Sequence, residues 1–340
     1  MSGSATMDDG EILQRTSRTF ALSMQMLPRA MREPVEVAYL LARTADTIAD
    51  TQLAAAEHRR VLLAGLREAV ASDRGDTAGI AALASGPVGA SEGAGAQAEV
   101  ALLGRIQDLL DRLRRLAPAD RADVAEVVVR LISTMDGELA WFSPGISEGT
   151  IRAWPDTRAL TAYTDGIAGC VGPFWTRLVH RHVAPLPPAR RRMMEAESRR
   201  YGRGLQLVNI LRDLPRDLQR GVCLLPEKDL RSCGLAPPEL LEPRAGRLLA
   251  PLTARYRARA RRNLLAGLAY TTRLPLRAFS VRVATALPAA LGLRTLALLE
   301  GMREPWGSAR PVKLSRGQVK LIALRTALWS VCPEGPLRLV

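Results

Sequence analysis

Residues Gly204–Asp217 read GLQLVNILRDLPRD. Gln206, Asn209, Asp213 and Asp217 fall at i, i+3, i+7 and i+11, the spacing of one helix face. The residues between them are mostly Leu, Val and Ile, so the polar stripe runs along a segment that otherwise looks buried. Two carboxylates and two amides on such a face are costly unless a ligand satisfies them. The competing reading is an ordinary helix end with capping acids. Pro215 stands between the aspartates and lacks a backbone donor. It is expected to kink or end the helix there and so turn Asp217 toward a shared metal.

A second acid pair lies about 160 residues upstream, in YLLARTADTIAD (Tyr39–Asp50). Tyr39, Arg43, Asp46 and Asp50 share one face at i, i+4, i+7 and i+11; a solvated charged face is the alternative. Carboxylates four residues apart on a helix have Cβ atoms roughly 6 Å apart. Two such faces opposed across a helical bundle would point four carboxylates into one central cavity. Mg²⁺ takes one or two carboxylates, keeps several waters and shares substrate phosphate oxygens. The pattern is therefore that of a metal–diphosphate enzyme, with the class of diphosphate left open.

Helical periodicity runs through most of the remaining chain, and alternating strand patterns are missing. Helices are expected at roughly 11–25, 34–51, 54–72, 98–115, 119–142, 158–182, 188–219, 250–271, 275–301 and 315–331. Between Asp73 and Gln97 the chain carries SGPVGASEGAGAQ. That composition predicts a flexible surface loop, with a short helical turn near Ile80. The expected architecture is a single all-α domain over residues 11–332, preceded by a disordered tail at 1–10.

Of the 340 residues 47 % are hydrophobic, enough for a sizeable core, and aromatics are only 4 %. Ala, Leu and Arg dominate, which favours helices. Cys170, Cys223, Cys233 and Cys332 show no CxxC spacing, which argues against structural zinc and for a reducing compartment. The net charge of +14 allows nucleic acid, an anionic membrane surface or anionic substrates. The cations are spread along the chain, with short clusters such as Ala189–Arg192 and no interleaved aromatics for base stacking. Nucleic acid is excluded on that ground. The N-terminus has neither a basic start nor an apolar core, so no signal peptide is expected. Leu274–Glu300 is apolar but interrupted by Arg277, Arg282, Arg294 and Pro288, a poor membrane span. Val319–Val331 is amphipathic and too short to cross. A monomeric cytoplasmic protein, soluble or peripheral to a membrane, is the expectation.

Five segments now fall into order: SRTFALSMQMLP (Ser17–Pro28), YLLARTADTIAD, YTDGIAGCVG (Tyr163–Gly172), GLQLVNILRDLPRD and VKLSRGQ (Val312–Gln318). Together they resemble the squalene/phytoene synthase family of head-to-head prenyl transferases, and within it the squalene synthases. The resemblance implies a class I isoprenoid-synthase helical bundle with a central cavity. It also implies that two farnesyl diphosphates condense through presqualene diphosphate to squalene, with NADPH as reductant. Asp46, Asp50, Asn209, Asp213 and Asp217 would hold Mg²⁺. Arg18, Arg43 and Arg212 would bind diphosphate, alongside Phe20, Tyr39 and Gln206 on the substrate. Tyr163 matches the family's proposed catalytic tyrosine, which relays the proton lost as the cyclopropane closes. With an ordinary phenol pKa of about 10 it is a weak base by itself; a helix tyrosine with a merely structural hydroxyl is the alternative. Lys313 and Arg316 match late basic positions suited to NADPH phosphates, or form a solvated basic face.

The chain departs from the family pattern in two places. The family's Gly-Arg-x-Tyr-Leu-Pro is here Gly221-Val-Cys-Leu-Leu-Pro226, so Val222 replaces an arginine and Leu224 an aromatic. Around Pro288 the segment SVRVATALP has no aromatic. Both losses weaken the reductive step more than the first condensation. The alternatives are a product left at presqualene diphosphate, dehydrosqualene or phytoene, or a non-catalytic lipid-surface protein on the same fold. Gly166, Gly169 and Gly172 recur every three residues with no strand before them, so they are read as a close helix approach rather than a dinucleotide loop.

Overall fold

The computed structural model describes residues 11, 24–51, 54–72, 74–85, 94–301 and 312–331. The chain forms two compact units. One comprises Met1–Leu139 with Arg177–Val183, the other Ala140–Thr176 with Ala184–Val340.

The first unit is built on α1 (Arg29–Asp50), followed by α2 (Ala56–Ser72), α3 (Ala78–Ser85), α4 (Ala94–Gly104), α5 (Ile106–Arg115) and the start of α6 (Pro118–Ser147). Met31, Val35, Ala38, Leu41, Ala45 and Ile48 recur every three or four residues on α1 and are buried. Their side of the helix packs against α2, α4 and α5. That leaves Tyr39, Arg43 and Asp46 half-buried and Asp50 exposed on the other side. The short helical turn expected near Ile80 is a helix, α3 (Ala78–Ser85), and α4 begins at Ala94, so the expected loop does not extend over all of 73–97. The alanine-rich run Ala78–Ser85 has high intrinsic helicity, and Ile80 is completely buried. The single helix expected over 98–115 is broken at Arg105, whose φ of −102° and ψ of 17° leave the helical region.

The second unit contains the end of α6, β1 (Arg152–Trp154), α7 (Thr157–Thr164), a π turn (Asp165–Gly169), the start of α8 (Val171–His182), α9 (Pro188–Gln219), β2 (Val222–Pro226), α10 (Glu227–Arg231), a 3-10 turn (Pro237–Leu241), α11 (Ala245–Thr272), α12 (Phe279–Glu300) and α13 (Arg316–Val331). Here α9 is central and packs against α11, α12, β2, α7 and the π turn. Leu207, Leu211, Leu214 and Leu218 share one hydrophobic core with Leu252, Tyr256 and Leu264 of α11. The expectation that strands are missing is overturned by a parallel pair, with Arg152 opposite Val222, Ala153 opposite Cys223 and a bulge before Trp154. Strands of three and five residues are too short to display alternation. Pro215 does not end its helix, which runs on to Gln219. The turn beyond it buries Leu218 to 2 % exposure, and that packing holds the helix past the missing donor.

By length and composition α12 could cross a membrane, yet 61 % of its most apolar window is buried inside the protein. It is a core helix of the second unit.

Candidate active site

On the first unit, the Arg43 guanidinium divides between two carboxylates. Its Nη1 lies 2.6 Å from Asp46 Oδ2 and its Nη2 2.5 Å from Glu99 Oε1 on α4. The Asp46 carboxyl is pushed up to about 6. Desolvation is the main cause, and the negative charge of Asp50 one turn away adds to it. Arg43 pulls the other way, and Glu99 raises it further. The Asp46 side chain is still 39 % exposed, so a cation can reach it. Two carboxylates whose mutual repulsion raises a pKa form a donor pair that a divalent cation relieves.

On the second unit the stripe of α9 is half-buried rather than fully buried. Gln206, Asn209, Asp213 and Asp217 keep partial exposure, while Leu207, Val208, Ile210, Leu211 and Leu214 between them are buried. The polar groups are chained together. Asn209 Nδ2 donates to Gln206 Oε1 at 3.3 Å, and Gln206 Nε2 donates to the Tyr163 hydroxyl at 3.4 Å. Arg212 forks onto Asp213, Nε to Oδ1 at 2.9 Å and Nη2 to Oδ2 at 2.6 Å. Arg216 Nε stands 3.9 Å from Asp217 Oδ1. The Tyr163 ring is set in an aromatic wall, 5.5 Å from Trp154. Trp154 in turn stacks on Trp141 at 6.0 Å and takes Phe142 edge-on at 4.8 Å. Its phenol thus opens onto a polar stripe while its ring sits in apolar packing.

The π turn fixes this tyrosine's neighbourhood. Cys170 N–H donates to Asp165 C=O at 2.7 Å, the i→i+5 bond that defines the turn. Asp165 is anchored to α9 by Arg199 and Arg203, each at 2.8 Å. The helix expected over 158–182 is interrupted here. The three-residue glycine rhythm serves a close approach, because a Cβ on Gly172 would run into the Ser198 backbone and one on Gly202 into the Ala168 carbonyl.

Glu99, Asp165, Arg199 and Arg203 did not figure among the sequence candidates. A signal for the arginines existed, since Arg199, Arg203 and Gln206 sit at i, i+4 and i+7 and prolong the stripe toward the N-terminus of α9. Glu99 is 56 residues from its partner and gave no such sign. Arg18 and Phe20 lie outside the described residues. Lys313 and Arg316 are exposed at the start of α13. There Ser315 Oγ accepts from Gln318 N–H at 3.2 Å while Gln318 Oε1 accepts from Ser315 N–H at 2.9 Å, a reciprocal cap. Leu224 is buried in β2, half-buried Val222 opens that strand, and Arg220 is exposed just before it.

Among the described residues no three His, Cys, Asp or Glu side chains gather around one metal position. The two acid pairs fit Mg²⁺ nevertheless, because that ion needs only one or two carboxylates and completes its octahedron with water and phosphate oxygens. For nicotinamide phosphates, the expected contacts are Lys313 and Arg316. Lys313 and Arg316 offer exposed charge alone, and buried Leu224 stands where the family has an aromatic.

A squalene/phytoene synthase family profile matches residues 13–318. The chain belongs to the squalene/phytoene synthase family. Presqualene diphosphate synthase of Zymomonas mobilis is 26 % identical over 220 residues, 64 % of this chain and 60 % of that protein. Squalene synthase BSS of Botryococcus braunii is 28 % identical over 210 residues, 61 % of this chain and 40 % of that one. A bifunctional lycopene cyclase/phytoene synthase of Podospora anserina is 33 % identical over 106 residues, 31 % of this chain and 18 % of that one. The matches thus span less than two thirds of these relatives' lengths. A solved complex of TcSQS with a ligand superposes with a TM-score of 0.73 at 21 % identity, covering 97 % of this chain and 92 % of that one. A dehydrosqualene synthase complex gives 0.62 at 17 % identity, covering 94 % of each. The squalene/phytoene synthase fold is therefore the all-α isoprenoid-synthase fold, and the small β1–β2 pair is its only sheet among the described residues. Family members are prenyltransferase-type enzymes that generally use Mg²⁺ with diphosphate substrates.

Proposed function

We propose that this chain joins two farnesyl diphosphates head to head, yielding presqualene diphosphate. The observation that carries the reading is the hydrogen-bonded chain from Tyr163 through Gln206 to Asn209, on the same helix face as Asp213 and Asp217. It lies on a helix whose other side is hydrocarbon core. The match to a presqualene diphosphate synthase over most of this chain supports the product.

Asp46 and Asp50 form one set of residues that would hold Mg²⁺, and Asn209, Asp213 and Asp217 form another. When bound, that ion neutralises the diphosphate and the charge that develops as the allylic C–O bond breaks. Arg18, Arg43 and Arg212 take the diphosphate oxygens, a use suited to guanidinium forks. Arg43 and Arg212 are held by Asp46, Glu99 and Asp213 and exchange those partners for phosphate. Tyr39, Phe20 and the wall around Tyr163 accommodate the chains and exclude water from the allylic cation. The double bond of the second substrate attacks C1 of the first, and a proton leaves as the cyclopropane closes. Tyr163 relays that proton: its hydroxyl oxygen takes it as its own O–H proton passes to the departed diphosphate, while Gln206 donates a hydrogen bond that orients the hydroxyl.

A second reading carries the product on to squalene with hydride from NADPH. The match to squalene synthase BSS favours it, with Lys313 and Arg316 as the phosphate contacts. The enzyme works in the cytoplasm, where its diphosphate substrate is soluble. Incubation with farnesyl diphosphate and Mg²⁺, with and without NADPH, followed by lipid extraction, separates the cases. Presqualene diphosphate under both conditions supports the first reading, and squalene only with NADPH supports the second. Absence of any condensed product would refute both and leave a lipid-binding protein on the same fold.

A further inference from the structure

Helix α13 buries Ile322, Thr326 and Ser330. Its opposite side is apolar and open, with Leu321 at 48 %, Leu324 at 59 %, Leu328 at 64 % and Val331 at 62 % exposure. At 3.6 residues per turn these four fall on one stripe, with exposed Lys320 bordering it on one side, Arg316 beyond Lys320, and half-buried Arg325 bordering it on the other. From Val312 to Val331 there are four cations, Lys313, Arg316, Lys320 and Arg325, and no acid. Among the described residues none of the four makes an ion pair.

A buried arginine extends the surface. Arg282 of α12 is 0 % exposed. Its Nε donates to Ser330 C=O at 2.8 Å, and its Nη1 donates to Thr271 C=O at 3.0 Å and Leu274 C=O at 2.7 Å. Those carbonyls belong to the C-terminal ends of α13 and α11, where helices lack intrahelical donors and carry partial negative charge. One guanidinium therefore pins the α11–α12 turn beside the end of α13. That turn exposes Leu276 at 60 % and Phe279 at 37 %, with Arg277 between them.

We propose that α13 and the α11–α12 turn dock the protein on an anionic lipid bilayer, the leucine stripe entering the headgroup–acyl boundary and the cations meeting lipid phosphates. A stripe of exposed leucines edged by Lys and Arg is the form of helices that lie in a membrane interface. Charge selects the occupant. A second copy of this surface would set its cations against the same cations, an unfavourable like-charge contact. Each Lys or Arg near an anionic leaflet is attracted to it. The inference stands apart from the condensation proposed above; of these side chains only Lys313 and Arg316 have another assignment, as phosphate contacts in the reductive reading, and neither variant below alters them.

The experiment is co-sedimentation of the full chain with vesicles of phosphatidylcholine alone and of equal parts phosphatidylcholine and phosphatidylglycerol. Binding to the mixed vesicles, weakened by high salt, is expected. Leu324→Glu/Leu328→Glu should lower the partition coefficient about tenfold or more. Lys320→Gln/Arg325→Gln should lower it about tenfold on mixed vesicles and little on neutral ones. Circular dichroism and condensation in detergent confirm that each variant is folded, so vesicle binding and catalysis can fail separately. Wild-type protein that ignores mixed vesicles, or binding unchanged in both variants, overturns the proposal. A dimer in light scattering that Leu324→Glu/Leu328→Glu dissolves also overturns it, in favour of a second copy.

Discussion

Gln206 Nε2 donates to the Tyr163 hydroxyl at 3.4 Å, joining the rim of an aromatic wall to a stripe of amides and carboxylates on α9. The relationship gives Tyr163 two separable parts. Its ring packs on Trp154, and its oxygen faces the polar chain. Tyr163→Phe keeps the first and deletes the second. The expected result is a fall of about 10²-fold in the rate of cyclopropane formation, with thermal stability changed by less than about 1 kcal/mol. Rapid-quench assay of presqualene diphosphate beside a melting curve checks both, and an unchanged rate removes Tyr163 from the mechanism. Gln206→Leu, which leaves the phenol in place but unoriented, should give a smaller loss.

The acid pairs allow a second expectation. Asp46→Ala leaves Arg43 anchored by Glu99 at 2.5 Å, and Asp213→Ala frees Arg212 at a half-exposed position, so neither should unfold its unit. Each should lower condensation about 10³-fold or more, since diphosphate departure loses a metal ligand. Raising Mg²⁺ should recover only part of the loss. Turnover within about tenfold of wild type in either variant excludes that aspartate as a ligand.

Cys223 supplies a pH dependence. It is fully buried in β2, and burial pushes its thiol up to about 12 from an ordinary 9.0. A backbone hydrogen bond at Leu225 opposes that shift, and the charge of Asp217 adds to it. Between those two values the native state holds a proton that the unfolded state has lost. Its stabilising contribution is therefore complete below about pH 9 and is lost as pH rises toward 12. Iodoacetamide at pH 8 should leave Cys223 unlabelled in native protein and label it in urea, as read by mass spectrometry. Cys223→Ala should flatten the alkaline limb of the stability profile. Native labelling at a rate comparable to half-buried Cys233 would contradict the burial of β2.

Much of this arrangement was legible because both acid stripes lie on long helices. A 3.6-residue period repeated over three turns shows which side chains share a face, and it survives even Pro215 because the flanking leucines keep α9 packed. The expectation of a metal–diphosphate site rests on carboxylates at that spacing, and the roles expected of Arg43 and Arg212 rest on the family resemblance. What stayed hidden was short or distant. Strands of three and five residues have no period to read. The π turn at Asp165–Gly169 depends on one backbone bond and on Arg199 and Arg203 reaching across from α9. Glu99 meets Arg43 only through the packing of α4 on α1, and α3 shows in the sequence only as a short turn near Ile80, because its 8 residues are too few to display a helical period.

Glycine substitutions of opposite sign probe the packing around the tyrosine segment. Gly137 lies on α6 with nothing within 4 Å of the position a Cβ would take. Gly137→Ala should therefore stabilise by about 0.5–1 kcal/mol, by lowering the entropy of the unfolded chain and raising helix propensity. At Gly172 the same methyl meets the backbone of Ser198, which cannot swing aside as a long side chain would. Gly172→Ala must push α8 away from α9 and should destabilise by about 1–3 kcal/mol. Since the π turn is tied to α9 through Asp165, the displacement should also stretch the Gln206–Tyr163 hydrogen bond and slow condensation at temperatures where the variant is fully folded. Melting curves and single-turnover rates on the two variants check this. A Gly172→Ala protein as stable and as active as Gly137→Ala would show that the close approach of α8 to α9 is not what the glycine provides.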